Sequence, residues 1–267
     1  LEWGQTSWIN EDSEEKRWID QTIEKTIHYI QGGGTFDVSL QVTIPNEFER
    51  LALHNVGFTA GIETTKVAHE WIFKANEMES LIVVSNHAKD VFERTSYEAV
   101  DQNTNQKVNL KLEKPITAVN YPVKTYDNLQ ALELNLHYDF NFVCVAQMGP
   151  RKNLDNTIKW FLEEFKHEEV GLVLKTNVAK NCQMDREIVH GRFYDVSFDL
   201  LPIPEAAEWQ GVLVKGSMWA YPREQSAKNK MRECYNDHKD SNTTACEYAN
   251  EIKERFSEEK MYAAFVE

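Results

Sequence analysis

The sequence predicts an α/β fold: parallel strands wrapped by helices, arranged as two successive units. Three observations carry that reading. Leu81-Ile82-Val83-Val84 is a continuous apolar run, the pattern of a strand covered on both faces. Strand-like runs alternate with helical periodicity, as where Ser85-Asn86 leads into a helix bearing Ala88, Val91 and Phe92. The alternation then starts again near Phe140, after a less regular stretch from Val123 to His137 that reads as a linker.

The elements follow in order. Asp12 to Ile30 places Trp18, Ile19, Ile23, Ile27 and Ile30 on one helical face, and Gly32-Gly33-Gly34 stops the helix. A triple glycine after a helix is a connector; a phosphate loop would follow a strand. Phe36, Val38, Leu40, Val42 and Ile44 alternate with polar residues, which predicts a strand with that apolar face buried. His54 to Ala60 is a short strand, and the next helix carries Val67, Trp71, Ile72 and Ala75. Asp101 to Lys107 is a turn, Val108 to Leu112 an edge strand, and Ile116 to Tyr121 a strand closed by Pro122. In the second block Phe140 to Ala146 reads as a buried strand. Asn153 to Phe165 reads as a helix with Leu154, Ile158, Phe161, Leu162 and Phe165 inward, and Val170 to Leu174 as the next strand. Only two strands are clear there, fewer than a stable sheet of this class wants. The tail contains apolar Phe198 to Pro204, the aromatics Trp209, Trp219 and Tyr221, and two charged helices, about Arg223–Asp237 and Thr243–Tyr262.

Composition narrows the function. With 42% hydrophobic and 27% charged residues the 267-residue chain is globular. Twenty-nine basic against 43 acidic residues leave a net charge of −14, which disfavours general binding to nucleic acid. No apolar run approaches the ~18 residues of a membrane span. Cys144, Cys182, Cys234 and Cys246 are scattered, as thiols of a reducing compartment are, and a cytoplasmic location is expected. The histidines are dispersed, so no metal site is expected. Asn242-Thr243-Thr244 is a glycosylation sequon of the kind that arises by chance. The chain begins with Leu1, and residues upstream are expected to have been removed.

In open α/β sheets ligands gather beyond the carboxyl ends of the strands. That rule selects the loops at Thr59–Thr65, Ser85–His87, Gln147–Asn153 and Lys175–Asn177. The third is the sharpest. Arg151 and Lys152 precede a helix start in an acidic protein, where they oppose the helix dipole unless an anion sits between. With Gly149 and an N-cap at Asn153, they suit a diphosphate, Arg151 gripping two oxygens and Lys152 acting as a point charge. Lys175 and Thr176, expected at the end of their strand, point to the same crevice. Glu63 and Thr64 occupy the equivalent place in the first unit, either to accept hydrogen bonds from sugar hydroxyls or a ligand amine, or to start the next helix. His54, His69 and His87 are single imidazoles and read as structural. Trp209, Trp219 and Tyr221 could stack on sugar faces but read better as packing at a junction. Glu251 and Glu259 are eight apart in an acid-rich stretch, a spacing chance supplies.

Taken together, Thr59-Ala60-Gly61-Ile62-Glu63-Thr64-Thr65, Val83 to Ala88 and Val145-Ala146-Gln147-Met148-Gly149-Pro150-Arg151-Lys152-Asn153-Leu154 resemble glycosyltransferases of the family 1 and family 4 type with the GT-B fold. The likeness is closest to a branch typical of viruses and marine metagenomes. It extends over residues 36–190 and, less closely, 198–240. It implies two Rossmann-like domains facing across a cleft: an acceptor-side domain at 1–130, an incomplete nucleotide-sugar-binding domain at 131–240, and a closing helix at 241–267. It also implies a nucleotide-diphosphate-sugar donor, an acceptor of unknown kind, no cofactor and no metal. Arg151 and Lys152 match the cations that meet the donor diphosphate, Lys175 and Thr176 line the same pocket, and Glu63 faces the cleft from the acceptor side. The reaction implied retains anomeric configuration. Two family features are missing: an opening strand with its glycine-rich loop, and a Glu-x7-Glu motif expected between Asn177 and Leu200. A shortened chain is the expectation. The rival readings are a sugar-nucleotide-binding protein without catalysis and an acidic α/β scaffold that binds a protein partner through its aromatic tail.

Overall fold

The computed structural model describes residues 13–100, 107–125, 134–178 and 196–266. It is a mixed α/β protein with parallel sheet and covering helices. The chain divides into two compact units, residues 1–36 with 134–189 and residues 37–133 with 190–267. Cys182, and most of the interval expected to hold the paired glutamates, lie outside the described residues, as do 101–106 and 126–133 of the expected turn and linker.

The larger unit is built on four strands in the order β1 (Phe36–Val42), β2 (Ala52–Thr59), β3 (Ser80–Val83) and, further along the chain, β6 (Ile116–Ala118). β3 runs parallel to both its neighbours, with Gly57 opposite Leu81 and Leu81 opposite Ile116. The spatial order follows the chain order, so the connections all step in one direction. Right-handed crossovers then fall on one face. That face carries a 3₁₀ turn at Pro45–Glu47, helix α2 (His69–Ala75) and helix α3 (Asn86–Arg94). Phe48, Val67, Trp71, Ile72, Met78 and Phe92 fill the space against Leu81, Val83 and Ile116. The rings of Trp71 and Phe92 stack at 6.1 Å. Gly57 is what lets Phe48 in: a Cβ there would lie 2.6 Å from the Phe48 ring. Ser85 caps α3, its hydroxyl accepting from Ala88 N–H at 3.1 Å, and Ala88, Val91 and Phe92 are buried as the periodicity requires.

β1 reverses the expected burial. Phe36, Val38, Leu40 and Val42 are exposed, while Ser39 and Gln41 are half-buried. The reason is the one-sided winding. Ser39 and Gln41 share the covered face and find polar partners there: Ser39 Oγ donates to Asn55 Oδ1 at 2.8 Å, and Gln41 exchanges hydrogen bonds with the Glu49 backbone at 2.6 and 2.9 Å. Asn55 is buried and also accepts from Leu51 and Ala52 N–H at 2.9 and 3.0 Å, while its amide donates to the Ala52 carbonyl. Its backbone N–H is held by the Glu79 carboxylate, and Glu79 N–H donates to the Asn55 carbonyl at 2.9 Å.

Strands β4 (Ser96–Val100) and β5 (Lys107–Lys111) form an antiparallel hairpin beside this core. Asn76, at the end of α2, ties it down by donating to the Lys111 carbonyl and accepting from Glu113 N–H, both at 2.8 Å. The tail returns to the same unit. β9 (Phe198–Pro202) and β10 (Met218–Pro222) pair antiparallel, Met218 N–H donates to Thr65 Oγ1 at 3.1 Å, and Val212 joins the core. Three helices finish the chain rather than two: α5 (Glu224–Asn236), α6 (His238–Arg255) and α7 (Glu258–Val266). The break falls at Phe256-Ser257, where the Phe256 carbonyl accepts from Val123 N–H at 2.7 Å and Phe265 packs on Phe58.

The smaller unit begins with helix α1 (Glu14–Gln31), capped by Ser13 Oγ accepting from Lys16 N–H at 3.1 Å and stopped at Gly32. Its apolar stripe buries no residue. Strands β7 (Phe140–Met148) and β8 (Val170–Val178) pair in parallel, with helix α4 (Leu154–Glu164) between them in sequence. α4 packs an aromatic cluster of Phe142, Phe161 and Phe165. Trp160 is buried where Leu162 was expected, and Leu162 is exposed. β7 is covered on one face only: Val143 and Val145 are exposed, and Cys144 is half-buried, its thiol pushed up by desolvation. No helix among the described residues is long and apolar enough to cross a membrane.

Two outcomes test this account. Replacing the buried Asn55 with Leu removes several part-buried hydrogen bonds at once and is expected to cost about 2 kcal/mol or more, read as a lower urea midpoint. The backbone hydrogen bond from Asn55 holds Glu79 below its ordinary value of 4.5. A depressed carboxylate contributes stability above that ordinary value and loses it as pH falls through the lowered one. Stability is therefore expected to fall on acidification below pH 4.5, and Glu79→Gln to flatten that part of the profile.

Candidate functional sites

At the carboxyl end of β7 the chain passes through Gly149 into a 3₁₀ turn, Pro150–Lys152, and then into α4. Arg151 and Lys152 therefore stand where the fold class gathers ligand groups, and both side chains are exposed. The turn is closed by Lys152 N–H donating to the Gly149 carbonyl at 3.1 Å. Asn153 holds the N-cap position but does not cap with its side chain. Its backbone is left-handed (φ 50°, ψ 35°), and its Oδ1 accepts instead from Asn156 Nδ2 at 2.7 Å. A left-handed residue aims its side chain away from the first-turn N–H groups, which the usual extended N-cap would reach.

Lys175 and Thr176 lie inside β8, not after it. The pairing continues through Met148 opposite Val178, with Lys175 opposite Val145 and Thr176 opposite Ala146. Lys175 is three residues short of the strand end, roughly 10 Å back from it at strand rise. It shares the exposed face with Val145, whereas Thr176 points to the opposite face. The apolar run Val170 to Leu174 understates the strand, because parallel pairing extends it through polar residues. Gly149, Arg151, Lys152 and Asn153 are thus adjacent at one strand end, and Lys175 and Thr176 sit further back on the neighbouring strand.

Glu63 and Thr64 belong to the loop after β2 in the larger unit. Glu63 is exposed. Thr64 is fully buried, and its hydroxyl donates to the Lys66 carbonyl at 3.3 Å, so it shapes its own loop. The start of α2 just beyond is held firmly. Val67 N–H donates to the buried Thr95 hydroxyl at 3.3 Å, and the Val67 carbonyl accepts from Tyr97 O–H at 2.5 Å. Lys66 Nζ lies 3.9 Å from the centroid of the Tyr97 ring, and His69 meets that ring edge-on.

This clamp fixes one wall of a pocket that the sequence reading did not assemble. About 480 Å³ in volume, it is lined by His69 and Glu70 from the first turn of α2 and by Glu208, Trp209, Gln210 and Lys215 from the tail. The tail wall is a tight turn. Trp209 and Leu213 exchange backbone hydrogen bonds at 3.1 and 2.8 Å, Gly211 takes φ 73°, which disfavours any side chain, and Val212 anchors the turn in the core. The tail aromatics consequently separate. Trp219 is 8% exposed, as a packing role requires, while Trp209 is 60% exposed. A tryptophan beside a glycine turn was the available signal, since loop positions held by a rigid scaffold carry ligand contacts.

No family model, curated protein or solved structure matches the chain.

Burial, reinforced by the charge of Glu70, pushes Tyr97 up to about 12. A raised phenol keeps its contribution to stability below the ordinary value of 10 and loses it as pH climbs toward 12. In an alkaline absorbance titration, the difference between the wild type and Tyr97→Phe is expected to show a late-ionising tyrosine, and Glu70→Gln to bring its ionisation to lower pH.

Proposed function

We propose that this chain is a glycosyltransferase of the GT-B type, with two Rossmann-like domains, that moves a sugar from a nucleotide-diphosphate-sugar donor to an acceptor. The observation that carries the reading is the adjacent pair Arg151 and Lys152, exposed at the carboxyl end of a parallel strand and followed at once by a helix. Two adjacent cations beside a helix start, itself positive, make that strand end suited to an anionic ligand. In a protein of net charge −14 they mark a place where an anion is favoured. The parallel α/β organisation and the quoted sequence resemblance support the same reading.

In the proposed mechanism the guanidinium of Arg151 takes two diphosphate oxygens side by side and Lys152 adds a point charge. As the bond from the anomeric carbon to the donor oxygen breaks, negative charge builds on the departing diphosphate, and cations already in place stabilise it without reorganising. Two such groups serve the leaving group without calling on a metal. Glu63 faces the acceptor in this scheme.

Titration with UDP and GDP tests the proposal. Wild-type protein is expected to bind at least one of them, Arg151→Ala to weaken binding about tenfold or more, and Lys152→Ala by a smaller factor, both effects shrinking at high salt. Release of sugar from labelled donor then marks a transferase, and binding without release marks a sugar-nucleotide-binding protein. Unaltered affinity in both variants, or no binding of either nucleotide, removes the proposal.

A further inference from the structure

We propose that the pocket between the start of α2 and the Trp209 turn binds a neutral, polyhydroxylated ring, the ring of a saccharide, stacked on the indole of Trp209. The inference uses residues of the larger unit alone and does not require the diphosphate site at Arg151 and Lys152.

The volume, about 480 Å³, lies in the ordinary range for small-molecule sites, roughly 300–1,000 Å³. One wall is apolar and flat. Trp209 is large, 60% exposed, and sits on a turn whose backbone hydrogen bonds and buried Val212 hold it in place. Such an exposed ring gains little unless something covers it, and its negative face attracts the slightly positive C–H groups of a sugar ring. The remaining walls are mixed in hydrogen-bonding character. Glu70 and Glu208 accept, Lys215 donates, and His69 and the Gln210 amide do both. One oxygen of Glu70, Oε2, is shut off from solvent without a hydrogen bond, at 3.2 Å from Nδ1 of His69.

This inventory selects the ligand class. Two carboxylates face one lysine and one imidazole, so the pocket has no strong cationic surplus for a phosphate and no purely acidic wall for an ammonium group. Sugar hydroxyls both donate and accept, so a ring that carries several of them can use every wall at once. The location agrees, since α2 starts from the loop after β2, on the side of the sheet where its strands end.

The test is calorimetric titration, and ligand-observed magnetic resonance, with glucose, galactose, mannose, N-acetylglucosamine and their common disaccharides. A lysine-rich peptide and inorganic phosphate serve as charged comparators. At least one saccharide is expected to bind, with affinity falling about tenfold or more in Trp209→Ala, partly restored in Trp209→Phe, and severalfold weaker in Glu70→Gln. Trp209 is exposed, so its variants are expected to keep the wild-type melting curve, which separates lost binding from lost folding. Absence of binding by every saccharide, binding that survives Trp209→Ala, or Trp209-dependent capture of the peptide or phosphate instead, each overturns the inference. Nucleotide binding that depends on Arg151 is read independently, so either site can fail alone.

Discussion

The main core, packed over one face of the four-stranded sheet, is the constraint on which the larger unit depends. Because β1, β2, β3 and β6 lie side by side in chain order, every connection among them returns over the same surface. Phe48, Trp71, Ile72 and Phe92 all pack there, and the layer has room for one more segment, which the tail supplies through Val212. The tail's position is therefore a consequence of core packing. Trp209 inherits its place from Val212, three residues on, in the same way that His69 and Glu70 inherit theirs from Trp71 and Ile72.

The polar groups inside this layer act as positioning devices. Thr95 donates to the Val91 carbonyl at 2.7 Å and accepts from Val67 N–H, so the end of α3 and the start of α2 are joined by a single hydroxyl. Tyr97 holds the other polar group of Val67. Ser217, fully buried, donates to the Val214 carbonyl at 2.7 Å and its own carbonyl accepts from Ile203 N–H at 3.0 Å, closing both ends of the Trp209 turn. A buried hydroxyl that lost its partner would cost more than the hydrogen bond gives, so these contacts hold the loops to one conformation. Both walls of the pocket are fixed by groups that never touch its interior.

Local chemistry made part of this legible in the sequence. Ser85 before Ala88, Val91 and Phe92 reads as a capped amphipathic helix and is one, because cap and periodicity both act within a dozen residues. The two-stranded second block was equally plain. What failed depends on partners distant in the chain. The alternation in β1 is genuine, yet its apolar half is the exposed half, since Ser39 and Gln41 are claimed by Asn55 and Glu49. In α4, Trp160 displaces Leu162 because the face is set by the ring cluster around Phe142. β8 outruns its apolar stretch because pairing with β7 continues to Val178. Arg151 and Lys152 were visible as a charge anomaly beside a helix start. Trp209 was visible as an aromatic two residues before Gly211, a weak signal that the fold was needed to separate from the buried Trp219.

Charge gives the two candidate sites different tasks. A net −14 makes the surface as a whole repel anions, and the effect weakens with salt over a Debye length of about 8–10 Å. An anionic ligand is then favoured only where adjacent cations outweigh that background, which is the role proposed for Arg151 and Lys152 at the end of β7. Around Trp209 two carboxylates share the walls with a lysine and an imidazole, leaving shape, the indole face and directed hydrogen bonds to discriminate. Neutral ligands do not feel the background repulsion, so their affinity there should be almost independent of salt, whereas nucleotide affinity at the cationic turn should fall steeply with it. Ionic strength thereby separates the two proposed sites without any mutation: raising it should weaken one and leave the other in place.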